Sequence, residues 1–164
     1  MLAACRRRWL VLALALGVTA CAQPPRLPAA PDGVRTQWIG RLALRIDSDP
    51  VQSFHAAFDL RGDASAGELS LFSPLGSTLA RMVWAPGQAQ LRWNGQQRAF
   101  DSIAALTRAA TGTELPIASL FEWLAGRDSR ADGWSADLGA LADGKLLAER
   151  RDPAPAVQLR LVIE

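Results

Sequence analysis

Side chains able to act as a base, a nucleophile or a metal ligand are scarce in this chain. It holds one histidine (His55), one lysine (Lys145), two cysteines (Cys5 and Cys21) and no tyrosine. Two cysteines are too few for a disulfide scaffold, and with a single histidine they do not make a Cys/His zinc set. His55 falls on the polar parity of an alternating run, with Ser53, Asp59 and Arg61, which is the place of a solvated surface residue rather than a general base. No Gly-x-Ser-x-Gly elbow accompanies it, and no glycine-rich phosphate loop is present. The carboxylates are spread out, without a pair set in apolar surroundings that would raise a pKa. The arginines are interleaved with acids, so they form no basic stripe for nucleic acid. An enzyme, a resident metal or cofactor, and a nucleic-acid partner are therefore not expected.

What the sequence offers instead is apolar residues organised by period. At 164 residues, 49% hydrophobic and 21% charged, it is long enough for one domain with one modest core. In residues 36–46, Trp38, Leu42, Leu44 and Ile46 share one parity and Arg41 and Arg45 the other. In residues 51–61, Phe54, Ala56, Phe58 and Leu60 alternate with polar residues. Period two over this length indicates half-buried antiparallel strands, with Asp47-Ser48-Asp49-Pro50 as the turn between them. Further strands are expected at 68–72, 78–84, 88–93 and 97–100, punctuated by Pro86-Gly87 and Asn94-Gly95.

The period then lengthens. Asp101 is placed to cap a helix that carries Ile103, Leu106 and Ala110 on one face and ends at Gly112. A second helix, residues 116–125, begins with a proline and is followed by Gly126. It is apolar nearly all round, with only Ser119 and Glu122 clearly polar, so both of its faces need cover. One sheet in a domain of this size is expected to cover only one of them. After Trp134, strand-like runs return at 146–151 and 157–163, separated by Pro153-Ala154-Pro155. Strands, two helices and then strands give an α+β fold with one curved antiparallel sheet and the helices against its concave face. On periodicity alone, the tryptophans and their apolar neighbours suit either an ordinary core or a lipid-sized cavity.

The amino terminus is an address. Arg6, Arg7 and Arg8 precede a short apolar run, residues 9–18, and small residues follow it. That is the layout of a secretory signal peptide, and the run is too short to span a bilayer. Val18-Thr19-Ala20-Cys21 resembles the bacterial lipobox, which implies cleavage before Cys21 and acylation of its thiol and new amine. Ala22 stands where an aspartate would mark retention in the inner membrane, so this resemblance favours the outer membrane. Removing residues 1–20 takes three arginines from the 18 basic residues and none from the 16 acids, turning a net charge of +2 into −1. Cys5 leaves with the signal and Cys21 is acylated, so no free thiol remains. Residues 22–33, with Pro24, Pro25, Pro28 and Pro31, read as an extended tether. The domain proper is expected over residues 34–164.

Ser73-Pro74-Leu75-Gly76-Ser77, between two predicted strands, resembles the outer-membrane lipoprotein receptor family LolB. The likeness continues through Asn94-Gly95-Gln96, the helix 101–111, Leu115-Pro116-Ile117, and Leu120-Phe121-Glu122-Trp123-Leu124-Ala125-Gly126. With the lipobox it covers most of the chain, most densely over residues 72–126. The resemblance implies an open half-barrel with a helical lid over a hydrophobic cavity for acyl chains. Its partners would be the lipoprotein-loaded carrier LolA, the acyl chains themselves and outer-membrane phospholipid, with the protein a monomer on the periplasmic face of the membrane. The family's protruding loop carries an exposed leucine used in membrane insertion, and Leu75, between Pro74 and Gly76, matches it. Trp123 and Trp134 match tryptophans of the family pattern, and the cavity would be lined with them by Trp38, Leu42, Leu44, Phe54, Phe58 and Leu71. Met82, Leu91, Trp93, Ile103, Leu106, Leu120 and Leu124 complete that expected lining.

In two places the chain departs from the family. Only residues 30–35 precede the first strand, where the family has a helix, and the stretch from Gly126 to Trp134 is compressed. A smaller lid and a narrower sheet are expected. The function this implies is receipt of lipoproteins from LolA and their insertion into the outer membrane. The alternative is a non-transferring envelope lipoprotein of the same fold that binds another lipid.

Overall fold

The computed structural model describes residues 36–164. The signal peptide, Cys21 and the tether expected from the sequence lie outside the described residues. Within them the chain forms β1 (Gln37–Ile46), β2 (Gln52–Gly62), β3 (Gly67–Phe72), β4 (Thr78–Ala85), β5 (Gln88–Trp93) and β6 (Gln96–Phe100). Helices α1 (Ile103–Thr111) and α2 (Ile117–Leu124) follow, then β7 (Trp134–Asp137), β8 (Lys145–Arg150) and β9 (Val157–Ile163). A single 3-10 turn, Leu141–Asp143, lies between β7 and β8.

All nine strands make one antiparallel sheet in the order β6-β5-β4-β3-β2-β1-β9-β8-β7. Chain neighbours pair throughout, except where β9 returns to β1. Alternation decides which face is inner: Trp38, Leu42, Leu44 and Ile46 on β1 are buried, while Gln37, Arg41 and Arg45 face water. The same parity runs on through Phe58 and Leu60, Leu69 and Leu71, Met82 and Trp84, and Leu159 and Leu161, which share one core. Nine strands can bury one face against a nine-residue and an eight-residue helix only by curving round them. The sheet stays open, with β6 and β7 as its free edges.

α2 is covered on nearly every side, as its composition requires, leaving only Ala118 exposed and Glu122 half-buried. The inner face of the sheet supplies one side of that cover, and the segment after the helix supplies part of the other: Ser119 is 3% exposed, and its hydroxyl pairs with that of Ser129 at 3.0 Å. The cap of α1 is displaced by one residue. Ser102, not Asp101, takes the extended backbone of a cap, and its Oγ accepts from the Ala105 N–H at 3.1 Å. Gly112 ends the helix in the left-handed conformation, as its sequence position suggests. β7 goes unread in the sequence because four residues are too few for alternation to show. The compressed stretch before it holds one isolated bridge, Ala131 to Trp134.

A buried hydroxyl joins the two helices. Thr107 is 1% exposed, and its Oγ1 donates to the Ala104 carbonyl and accepts the Leu115 N–H, each at 3.1 Å. Thr107→Val keeps the shape but leaves that N–H unpaired in the core, a cost of about 1–3 kcal/mol. Chemical denaturation of this variant beside Thr107→Ser, which retains the oxygen, should show the loss in the first and most of it restored in the second.

The turn from β2 to β3 is tied by one carboxylate. Asp63 Oδ1 accepts from the Ser65 hydroxyl (2.6 Å), the Ala66 N–H (2.9 Å) and the Ser65 N–H (2.7 Å), and the Trp84 indole donates to its carbonyl. The Ser65 hydroxyl first, and these backbone N–H groups with it, hold the Asp63 carboxyl below its ordinary value. A depressed carboxyl adds stability above the unfolded pKa, and that part is lost as pH falls through the folded one. Asp63→Asn should therefore unfold at a lower temperature than the parent at neutral pH, and the two midpoints should converge well below pH ~4.

Candidate functional site

The inner face supplies an apolar trough with α2 lying along it. Phe121 sits edge-on to both Trp38 (centroids 5.6 Å apart) and Trp84 (6.4 Å), bridging β1 and β4 through the helix. Of the residues expected to line a cavity, Trp38, Leu42, Leu44, Phe58, Leu71 and Met82 are buried in this one cluster. Leu91, Leu106, Leu120, Trp123, Leu124 and Trp134 are buried there too, and Phe54 and Ile103 pack partly buried against it. Trp93 stands apart at 60% exposure, because it ends β5 beyond the reach of the helices. Trp84 and Phe121 were not among the expected lining, although Trp84 shares the parity of Ala80 and Met82. Polar atoms in the trough are few: the Trp123 indole donates to the Ser129 carbonyl at 2.7 Å.

One end of the sheet carries the features open to solvent. The β3–β4 loop is tied by Ser73 N–H to the Ser77 carbonyl (2.8 Å) and Gly76 N–H to the Ser73 carbonyl (2.9 Å). Gly76 takes a φ of +81°, which lets the loop reverse, and Leu75 at its tip is 94% exposed. Beside it lies the β5–β6 turn, since Ala80 pairs with Trp93 across β4 and β5. At the same end, a cleft of about 230 Å³ opens between the last turn of α1 and the β1–β2 hairpin. Leu44, Ile46 and Phe54 on the sheet and Ala110 on the helix form its apolar walls. The exposed leucine and this apolar-walled cleft thus lie at one end of the sheet.

His55 is exposed on the outer face, opposite Ala43 of β1. Among the described residues, no group of three His, Cys, Asp or Glu is placed to hold a metal ion, and no helix is long and apolar enough to cross a membrane. The family described as outer membrane lipoprotein LolB matches residues 35–152.

The chain belongs to the LolB family.

Among its relatives is the outer-membrane lipoprotein LolB of Bordetella petrii, 30% identical over 182 residues that cover 96% of this chain and 92% of the relative. The LolB of Bordetella parapertussis is 33% identical, covering 95% and 93% of the two chains. That of Chromobacterium violaceum is 33% identical, covering 73% and 68%. LolB membership fits the antiparallel, unclosed α+β sheet found here.

The two parts of the site differ in what they contribute to the LolB fold. Leu75 touches little, so Leu75→Glu should leave the unfolding free energy within about 0.5 kcal/mol of the parent. Trp123→Phe removes the indole hydrogen bond to the Ser129 carbonyl from a fully buried position and should cost about 1–3 kcal/mol. Denaturant unfolding of both variants checks the contrast.

Proposed function

We propose that this chain is an outer-membrane lipoprotein receptor, which takes lipoproteins from the periplasmic carrier LolA and inserts them into the outer membrane. Acylated Cys21 holds it on the periplasmic face. The observation that carries this reading is Leu75, a large apolar side chain 94% exposed on a tied loop, at the same end of the sheet as the cleft beside α1. An isolated turn gains nothing by displaying a leucine to water, whereas a loop that touches a bilayer does.

Acyl chains of about sixteen carbons cannot cross water unaided when each CH₂ costs about 0.8 kcal/mol to expose. The trough walls offer them an apolar alternative, entered between α1 and the β1–β2 hairpin. Transfer then needs no covalent step and no nucleotide, only a gradient of affinity, with about 1.4 kcal/mol giving a tenfold bias from carrier to receptor. Leu75 adds about 1.5–3 kcal/mol on entering lipid. That is too little to anchor a protein already held by its own acyl chains, and enough to dip the rim into the interface.

A soluble form lacking the acylated cysteine, mixed with lipoprotein-loaded LolA, should take the cargo, and absence of transfer sinks the reading. Leu75→Glu should accept cargo as the parent does but deliver little of it to liposomes. Equal delivery by both would remove the loop from the mechanism. Binding of free fatty acid without any uptake of cargo would instead point to the non-transferring alternative.

A further inference from the structure

The outer face of the sheet, away from the helices, carries a concavity that the receptor role does not use. It has a volume of about 820 Å³ and runs across β9, β1, β2 and β3 to the base of the Leu75 loop. Its floor exists because two neighbouring outward positions hold alanine: Ala43 on β1 and Ala57 on β2. Phe72, Pro74 and Val162 wall it with apolar surface. Three basic side chains meet over that floor. His55 and Arg160 flank Ala43 from either side as its cross-strand partners, and Arg41 stands two residues before it on the same face. Directly opposed positions put their Cβ atoms about 5 Å apart, so all three heads can reach one ligand.

The local charge balance is positive. Glu164 also lines the concavity, at the β9 end opposite Ile39, where its N–H donates to the Ile39 carbonyl. Other nearby acids have closer partners of their own: Asp59 has Arg61, Asp47 has Arg45, and Glu149 has Gln158 and Arg151, with Arg160 adding a weaker attraction to Glu149 from a distance. Among the described residues, neither Arg41 nor Arg160 forms a salt bridge within 4.0 Å.

We infer that this concavity binds the anionic head group of a bilayer phospholipid, its phosphate between Arg41, Arg160 and His55 and its first acyl carbons along Phe72 and Pro74. Cations over an apolar floor match an amphiphile better than a free ion, and guanidinium suits phosphate in particular. The position favours a membrane source, since Pro74 and Gly76 of the Leu75 loop form one wall. A loop seated in the bilayer would bring the concavity to head-group depth. This step rests on the receptor reading only for that orientation.

The test uses the full chain with Cys21→Ser, so that no acyl anchor competes. It is titrated with monomeric dihexanoylphosphatidylglycerol while backbone amide shifts are followed. Saturable shifts at residues 41–43, 55–57 and 72–76 are expected, with binding weakened at least tenfold by Arg41→Gln/Arg160→Gln, both exposed side chains whose loss leaves the fold intact. Inorganic phosphate and the zwitterionic choline lipid should each bind at least tenfold more weakly. Shifts confined to the cleft beside α1, phosphate binding as strongly as the lipid, or unchanged affinity in the double variant would overturn the inference. Leu75→Glu serves to separate the two readings. It should still bind the short-chain lipid, and if it does while the parent delivers no cargo, the receptor role fails and the head-group site stands. Normal cargo delivery together with undiminished lipid binding by the double variant removes the head-group site alone.

Discussion

The two free edges of the sheet, β6 and β7, are adjacent in the chain apart from residues 101–133, so that one segment has to carry the backbone from one edge to the other. Laid flat, nine strands about 4.8 Å apart would separate those edges by about 38 Å. The crossing is instead made over the inner face by α1, α2 and their connections, with the sheet curved round them. This gives α2 its nearly complete burial and brings Trp38 and Trp84, on strands separated by β2 and β3, against one phenylalanine. It also leaves the last turn of α1 beside the β1–β2 hairpin, where the cleft opens.

Contacts inside the trough are almost all non-directional. Among the described residues, its polar ties include the hydroxyls of Thr107 and Ser119 and the indoles of Trp123 and Trp84, which act near helix junctions and at the end of a strand. Dispersion contacts between apolar groups are individually weak and carry no fixed partner. An acyl chain can replace side-chain contacts of this kind with others like them, whereas a network of buried hydrogen bonds would resist. The sparse polar chemistry that argues against an enzyme is the same property that suits the interior to exchange of apolar partners.

Much of the architecture was legible in the sequence, and its failures have physical causes. Alternation located β1, β2 and β9 because each is long and has one wet face. It could not find β7, where four residues include only one large apolar side chain, Trp134. Composition marked α2 as needing cover on every side, but that the segment around Ser129 supplies part of it depends on a loop path that leaves no local mark. Parity also put Trp93 inside with Leu91, and only the extent of the helices decides that it is not covered. Leu75 is the reverse case, since a leucine between proline and glycine in a turn needs no tertiary information to be exposed. The outer-face concavity depends on two alanines lying diagonally across β1 and β2, each opposite a basic residue, which register reveals and sequence does not.

Strand direction has a mechanical consequence. β1 begins at the end of the sheet where Gln37 faces Arg61 and where the β2–β3 turn lies, while the Leu75 loop is at the opposite end. A membrane anchor at Cys21 would therefore join the domain at its far pole from the loop that is to touch the bilayer. The chain from Ala22 to Thr36 can extend at most about 50 Å at roughly 3.3 Å per residue, against about 33 Å for the length of β1. That reach exceeds the length of β1. Were Cys21 the membrane root, as proposed, the domain could stand with its Leu75 end to the periplasm or topple until that end met the lipid, and a receiver would become a depositor by turning over.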